Sequence, residues 1–497
     1  MTAKTLMVMG THSNAGKSLL VTALCRIFAQ QGVKVAPFKA QNMALNAGVT
    51  PNGDEIGRAT IAQAEAAGIA PHVDMNPVLL KPETDRRSQI VLNGKPHGHL
   101  HAENWHTVKP LLWQHITAAL DRLRARTDLV IIEGAGSPAE INLKANDIVN
   151  MRVAQYANAP VLLVGDIDRG GVFAALVGTM VLLEPAERAR VKAFVINKFR
   201  GDIRLLGDGL AMLQARAFNT PTLGVIPFLP NVGIAAEDSV ALDETTAAPM
   251  EHLEIAVVRL PHISNFDDFD PLAAEPGVSV RYVQSVAEWG NPAAVILPGT
   301  KTTLADLMWL EKTGLAEKIR QFSARGGNVA GICGGYQMLG ETIADPHGAE
   351  AAPGAETVGL SLLPLKTIFG GDKRTVRVNS ILTTTAAPFA AIRHTSIRGY
   401  EIHMGHSEPT AADAQPLCAI GTQAHADGLI SADGRVWGTY LHGIFENNAF
   451  RHAWLRSLGW HGDARTFNRQ QNYNRLADHV AAHLDLPFLQ KIINGDV

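Results

Sequence analysis

The chain has 497 residues, with 44 Lys plus Arg set against 47 Asp plus Glu and a formal net charge of −3. That length exceeds what one hydrophobic core organises, so two main domains are expected. The balanced charge leaves no electrostatic footprint for nucleic acid or an anionic membrane, and the three cysteines, Cys25, Cys333 and Cys418, lack the number and spacing of a disulfide framework or metal site, so a small-molecule substrate and a reducing cytoplasm fit best.

From Lys4 the chain enters a short apolar run and then a glycine loop, without the longer apolar region or small-residue cleavage site of a signal peptide. Strand-like runs at 5–10, 33–38, 129–133, 160–165, 191–197 and 222–226 alternate with helical patterns, the mark of parallel βαβ units. The most membrane-like stretch, 171–183, is too short to span a bilayer and is closed by Arg169 and Glu184. Residues 235–251 lose apolar periodicity and gather acids, Thr and Pro, so they are expected to link a first domain at 1–234 to a second at 252–449. A second alternating set follows at 253–260, 278–283, 294–297, 328–332 and 436–441. The stretch 345–356 reads as a surface loop, and 450–497 as a peripheral helical segment. The fold class is therefore α/β in both halves.

The first run ends in Gly-Thr-His-Ser-Asn-Ala-Gly-Lys-Ser over 10–18, with five residues between Gly10 and Gly16, one more than the common phosphate-loop spacing. A strand ending at Gly10, a turn through Thr11, Asn14, Ala15 and Gly16, and a helix starting near Lys17 would direct free N–H groups and a positive dipole end at phosphate. Lys17 then meets the terminal phosphates and Ser18 a magnesium ion. Glu133 closes the run Leu-Val-Ile-Ile at the carboxyl edge of the sheet and is a second magnesium candidate. Asp54 is a third, with an ordinary turn acid as the alternative. Asn197, at another strand end, is a candidate for the adenine base of ATP or an ordinary turn residue.

Two-thirds along, Gly-Ile-Cys-Gly-Gly-Tyr-Gln over 331–337 places Cys333 in a tight turn between a strand and a helix, a nucleophile elbow. Such a thiol needs a proton partner, and of the 19 histidines His442 has the best placement, at the end of a strand. Many glutamine-hydrolysing enzymes carry Glu two residues after this histidine; here that position is Ile444, so either a Cys–His dyad or a third member from elsewhere is expected. The cluster Tyr400-Glu-Ile-His403-Met-Gly-His406 lacks further ligands at zinc spacing and reads as substrate lining.

The lengthened loop and the Glu-Gly-Ala-Gly strand end at 133–136 resemble the dethiobiotin-synthetase-like branch of phosphate-loop proteins, which transfer a γ-phosphoryl group to a carboxylate or carbamate. Together with Lys-Ala-Gln-Asn-Met-Ala-Leu-Asn at 39–46, the Cys333 motif, Gly-Tyr-Glu-Ile-His-Met-Gly at 399–405 and Tyr-Leu-His-Gly at 440–443, they resemble the cobyric acid synthase family over nearly the whole chain. That resemblance implies a class I glutamine amidotransferase-like second domain and ATP- and glutamine-dependent amidation of the b, d, e and g carboxylates of adenosylcobyrinic acid a,c-diamide. Arg58, Lys81, Arg86, Arg87 and Lys144 are available to contact such a corrinoid. Cobyrinic acid a,c-diamide synthases share several of these motifs and form the nearest alternative. A phosphate-loop switch with a non-catalytic second domain is the other, and a homo-oligomer stays open.

Overall fold

A computed structural model describes residues 2–84, 86–101, 105–230, 232–234, 253–370, 373–421 and 425–497. The expected linker at 235–251 lies outside the described residues. The chain divides into two compact units, one of Met1–Ala44, Glu55–Glu237 and Asn468–Val497, the other of Leu45–Asp54 and Asp238–Phe467.

The first unit is built on a parallel sheet whose strands run, edge to edge, Thr222–Pro227, Val191–Phe199, Val161–Asp166, Lys4–Gly10, Leu129–Glu133 and Val35–Lys39. Successive side chains point to opposite faces. Met7, Met9, Val130 and Ile132 therefore enter one core, and Leu6, Val8, Leu129 and Ile131 the other. Both faces are covered, which is why these strands read as continuous apolar runs. Glu133 sits in register with Val8 on one side and Lys39 on the other, so the carboxyl edge gathers it beside the loop that follows Gly10.

The tail differs from the expected peripheral segment. The helices Arg469–Ala481 and Leu486–Asn494 belong to the first unit, where Leu476, Val480, Leu489 and Ile492 share a core with Leu20, Val21 and Leu24 of the helix Lys17–Gln30. Burial of side chains of this size stabilises by about 1.5–3 kcal/mol each. The helix Asn448–Ser457 stays with the second unit, with Phe450 and Trp454 buried.

The second unit carries a mixed sheet in the order Val278–Val283, Leu253–Val258, Ala294–Leu297, Asn328–Ile332, Val436–Thr439, His425–Ile430, Gln415–Ile420, Arg374–Leu382 and Ser396–His403. The first five strands are parallel and match the apolar runs of the sequence. The last four pair antiparallel. In Arg374–Leu382 buried and exposed positions alternate towards its end, the signature of a sheet wet on one face. Of the stretch 345–356 expected as a surface loop, 346–354 form the connection between the strands Thr342–Asp345 and Ala355–Val358, which pair antiparallel and take in only its ends.

Candidate active sites

The loop after Gly10 turns through two left-handed residues, Asn14 (φ 62°) and Gly16 (φ 97°), before the helix Lys17–Gln30 begins. Glycine is required at 16 on two counts: its φ is unfavourable for L side chains, and a Cβ there would overlap the Asn197 amide. Asn197 also donates to the Ala15 carbonyl at 3.0 Å, so it braces the loop. Lys17 Nζ bonds the carbonyls of His12 (3.1 Å) and Gly136 (3.3 Å), which curls it over the loop. Thr11 Oγ1 is buried with no hydrogen-bond partner, an acceptor and donor left for a group that the protein does not supply.

Glu133 is the hub of this site. Its Oε1 accepts from Ser18 Oγ at 2.7 Å and from Lys39 Nζ at 2.9 Å, and its Oε2 accepts from Gln63 Nε2 at 2.5 Å. Burial works against the charged carboxylate, yet the Lys39 charge and the three hydrogen bonds outweigh it and hold the acid below its ordinary pKa. Ser18 and Glu133, two of the three predicted magnesium ligands, thus stand together. Asp54 falls in the segment Leu45–Asp54 of the second unit, where its N–H bonds Thr50 Oγ1 at 3.1 Å. Among the described residues no three His, Cys, Asp or Glu side chains group as a metal cage. A hydroxyl and one carboxylate are nonetheless a sufficient protein share for magnesium, which takes its other ligands from phosphate and water.

In the second unit the strand Asn328–Ile332 runs into Cys333, whose backbone sits at φ 53°, ψ −110°, and then into the short helix Gly334–Met338. A non-glycine residue there is strained. The turn closes only because a Cβ at Gly335 would overlap the Leu297 carbonyl oxygen, and glycine has none. The Cys333 thiol is buried, 3.6 Å from the Ile402 carbonyl, and close enough to His442 to favour its charged form. Gln337, one helical turn on, bonds Tyr440 OH (3.1 Å), the Met404 carbonyl (3.0 Å) and Thr303 (3.1 Å).

The third member that the sequence left open is Asp268. Its Oδ2 lies 2.7 Å from His442 Nδ1, and its Oδ1 accepts the Gly443 N–H at 2.8 Å. Burial resists charge on His442, but the Asp268 carboxylate, its hydrogen bond and the Cys333 contact outweigh it and raise the imidazole to about 10. Burial also raises Asp268, against the pull of His442. These two tendencies conflict, since a neutral Asp268 would no longer raise His442. Two short donor contacts on its two oxygens favour the ionised carboxylate, so the shared proton rests on His442. Sequence gave one weak pointer to this acid: Phe-Asp-Asp-Phe at 266–269 brackets two acids with apolar residues, and all four are buried.

His403, of the expected lining cluster, stacks on Tyr440 at 3.8 Å between ring centroids, whereas His406 is exposed. Neither joins a metal group among the described residues.

An elbow thiol with a held histidine, joined in one chain to a phosphate loop with a carboxylate hub, defines a glutamine-hydrolysing carbon–nitrogen ligase. Residues 6–241 match the CobQ/CobB/MinD/ParA nucleotide binding domain family, and residues 254–450 the CobB/CobQ-like glutamine amidotransferase domain family. The cobyric acid synthase of Chloroflexus aggregans is 51% identical over 99% of both chains, that of Dehalococcoides mccartyi strain CBDB1 52% identical over 100% of both, and that of Chloroflexus aurantiacus 52% identical over 99% of this chain and 100% of the relative. The chain belongs to the cobyric acid synthase family, ATP- and glutamine-dependent amidating enzymes of cobalamin synthesis. The alternative of a switch with a non-catalytic second domain falls away with that membership.

Proposed function

We propose that the chain amidates the b, d, e and g carboxylates of adenosylcobyrinic acid a,c-diamide to give adenosylcobyric acid, with Cys333, His442 and Asp268 releasing ammonia and the phosphate loop activating each carboxylate. The observation that carries the nitrogen half is the Cys333 turn with His442 held by Asp268 at 2.7 Å. Asp268 occupies Nδ1, which leaves Nε2 for proton traffic with the thiol. Cys333 Sγ bonds to the glutamine carboxamide carbon, His442 returns its proton to the departing nitrogen, and ammonia leaves. Water, giving its proton to His442, then opens the thioester to glutamate and the free thiol. The unpaired N–H groups of the first turn after Cys333 are the donors available to the transient oxyanion.

In the other half, Lys17 and the loop N–H groups hold the nucleotide, Asn197 is the residue assigned to the base, and a substrate carboxylate oxygen takes the γ-phosphoryl group as ADP leaves. Ammonia then bonds the acyl carbon and phosphate departs. Magnesium would be held by Ser18 and Glu133 and would supply charge neutralisation for the phosphates. Use of ATP and three free, buried thiols suit a cytoplasmic enzyme.

Mass spectrometry of the corrinoid after reaction with glutamine and ATP tests the substrate assignment. Each acid converted to amide changes the mass by a fixed step. Four steps from the a,c-diamide support the proposal; two steps from cobyrinic acid, with none from the diamide, would refute it in favour of a,c-diamide synthesis.

A further inference from the structure

Beyond Lys39, the motif Lys-Ala-Gln-Asn-Met-Ala-Leu-Asn at 39–46 has no part in either half of the mechanism, yet both of its ends are tied to a reacting centre. At its start Lys39, 2% exposed, is bonded to Glu133 at 2.9 Å, on the same oxygen that accepts Ser18. The division between the two units falls inside the motif, after Ala44. At its end Asn46, 1% exposed, accepts the Asn265 N–H on Oδ1 at 2.7 Å. Asn265 returns the contact by donating from Nδ2 to the Ala47 carbonyl at 2.7 Å and, from the same nitrogen, to Tyr400 OH at 2.9 Å. Arg377 Nε pins the segment further on, at the Val49 carbonyl (2.7 Å).

Asn265 is no ordinary neighbour. It is left-handed, φ 53°, and opens the short turn Phe266–Phe269 that carries Asp268. The Tyr400 that it holds stacks on His442, with ring centroids 5.3 Å apart and planes 20° from parallel, and exchanges both backbone hydrogen bonds with it at 2.9 and 3.1 Å. One asparagine therefore fixes both the turn that supplies the histidine's acid and the ring that lies against the histidine. What fixes that asparagine is a segment whose root is bonded to the carboxylate of the phosphate site.

We propose that Asn46 and Asn265 are positioning residues for His442, and that residues 39–47 make glutamine hydrolysis depend on occupancy at Glu133. Loading that carboxylate changes what Lys39 is bonded to; the change is passed along residues 40–45, of which Ala40, Gln41, Asn42 and Ala44 are buried and Met43 is exposed, to Asn46, and through Asn265 to the placement of Asp268 and Tyr400 around the imidazole. Small displacements suffice, since a misplacement of about 1 Å costs about a hundredfold in a reaction that needs aligned groups. The proposal rests on Cys333 and His442 being the glutaminase pair.

The test uses the full chain and follows glutamate release with and without magnesium-ATP, alongside amidation supported by ammonium salts. Wild type should release glutamate faster with magnesium-ATP. Asn46→Ala should lower kcat for glutamate release about tenfold with little change in KM for glutamine, erase the magnesium-ATP effect, and leave ammonia-supported amidation within about twofold. Asn46→Asp, which keeps an acceptor oxygen for the Asn265 N–H, should recover most of the rate. Unchanged glutamate release in Asn46→Ala, or equal impairment of Asn46→Ala and Asn46→Asp, overturns the proposal. If Asn46→Ala loses both activities, Tyr400→Phe decides: it keeps the ring but not the Asn265 contact, and a lower kcat for glutamate release with KM for glutamine unchanged supports the proposal, whereas wild-type glutamate release overturns it. Glutamate release needs no corrinoid, so an error in the assigned acceptor leaves these outcomes readable. Failure of the glutaminase assignment shows separately, as glutamate release that survives Cys333→Ala.

Discussion

Replacing Asp268 by Asn isolates the electrostatic part of the glutaminase site. The imidazole of His442 is raised from 6.5 to about 10, a gap worth on the order of 5 kcal/mol in favour of the imidazolium. Asp268 is the largest cause acting in that direction, opposed by burial. With Asn at 268 the charge is gone while burial still opposes the imidazolium and only the Cys333 contact still favours it, so the imidazole falls from that raised value. Asn also has one acceptor oxygen where Asp uses two, for His442 Nδ1 and the Gly443 N–H. One of those donors is left buried and unsatisfied, at a cost of about 1–3 kcal/mol. Together these should lower kcat for glutamate release by about 10³-fold or more, as in serine-protease triads that lose the acid behind the histidine. The assay is glutamate release measured beside ammonia-supported amidation in the same preparation, the second rate staying near wild type. Glutamate release within about twofold of wild type would refute the role given to Asp268.

The same pair sets a pH dependence of stability. A folded pKa above the unfolded 6.5 means that the His442 contribution is fully present below pH 6.5 and is lost as pH rises to about 10. The thermal midpoint should fall across that window in wild type and more weakly in Asp268→Asn; equal steepness would contradict the assignment. Glu133→Gln should abolish amidation from glutamine and ammonia alike, and should destabilise the fold by roughly 3–5 kcal/mol because the buried Lys39 charge loses the carboxylate it is paired with, as read by chemical denaturation. Lys17→Ala should likewise abolish amidation from either nitrogen source. Leu489→Ala should cost about 2–5 kcal/mol for a core side chain that a peripheral tail would not hold.

Both reacting loops were legible in the sequence for a shared reason: the chemistry is packed into a few consecutive residues at a strand end. Gly10 to Ser18 and Gly331 to Gln337 each state a strand, a turn that only small residues permit, and a helix start. The parallel strands were legible because burial on both faces makes them continuous apolar runs. What escaped is long-range. Asp268 is 174 residues from His442, and nothing local separates it from Asp267. Gln63, which bonds Glu133 across 70 positions, carried no sequence signal, and Lys39 had one only as part of a family motif. The segment 45–54 and the helices after 468 exchange units against chain order, because their apolar and amide groups find partners that proximity in sequence does not reveal.

The division of labour between a nitrogen-releasing thiol and a carboxylate-activating phosphate loop is tested most directly by Cys333→Ala, assayed with glutamine and with ammonium salts as alternative nitrogen sources. The account predicts no glutamine-supported amidation and ammonia-supported amidation close to wild type. Equal loss of both, or amidation from glutamine that survives the substitution, would contradict it.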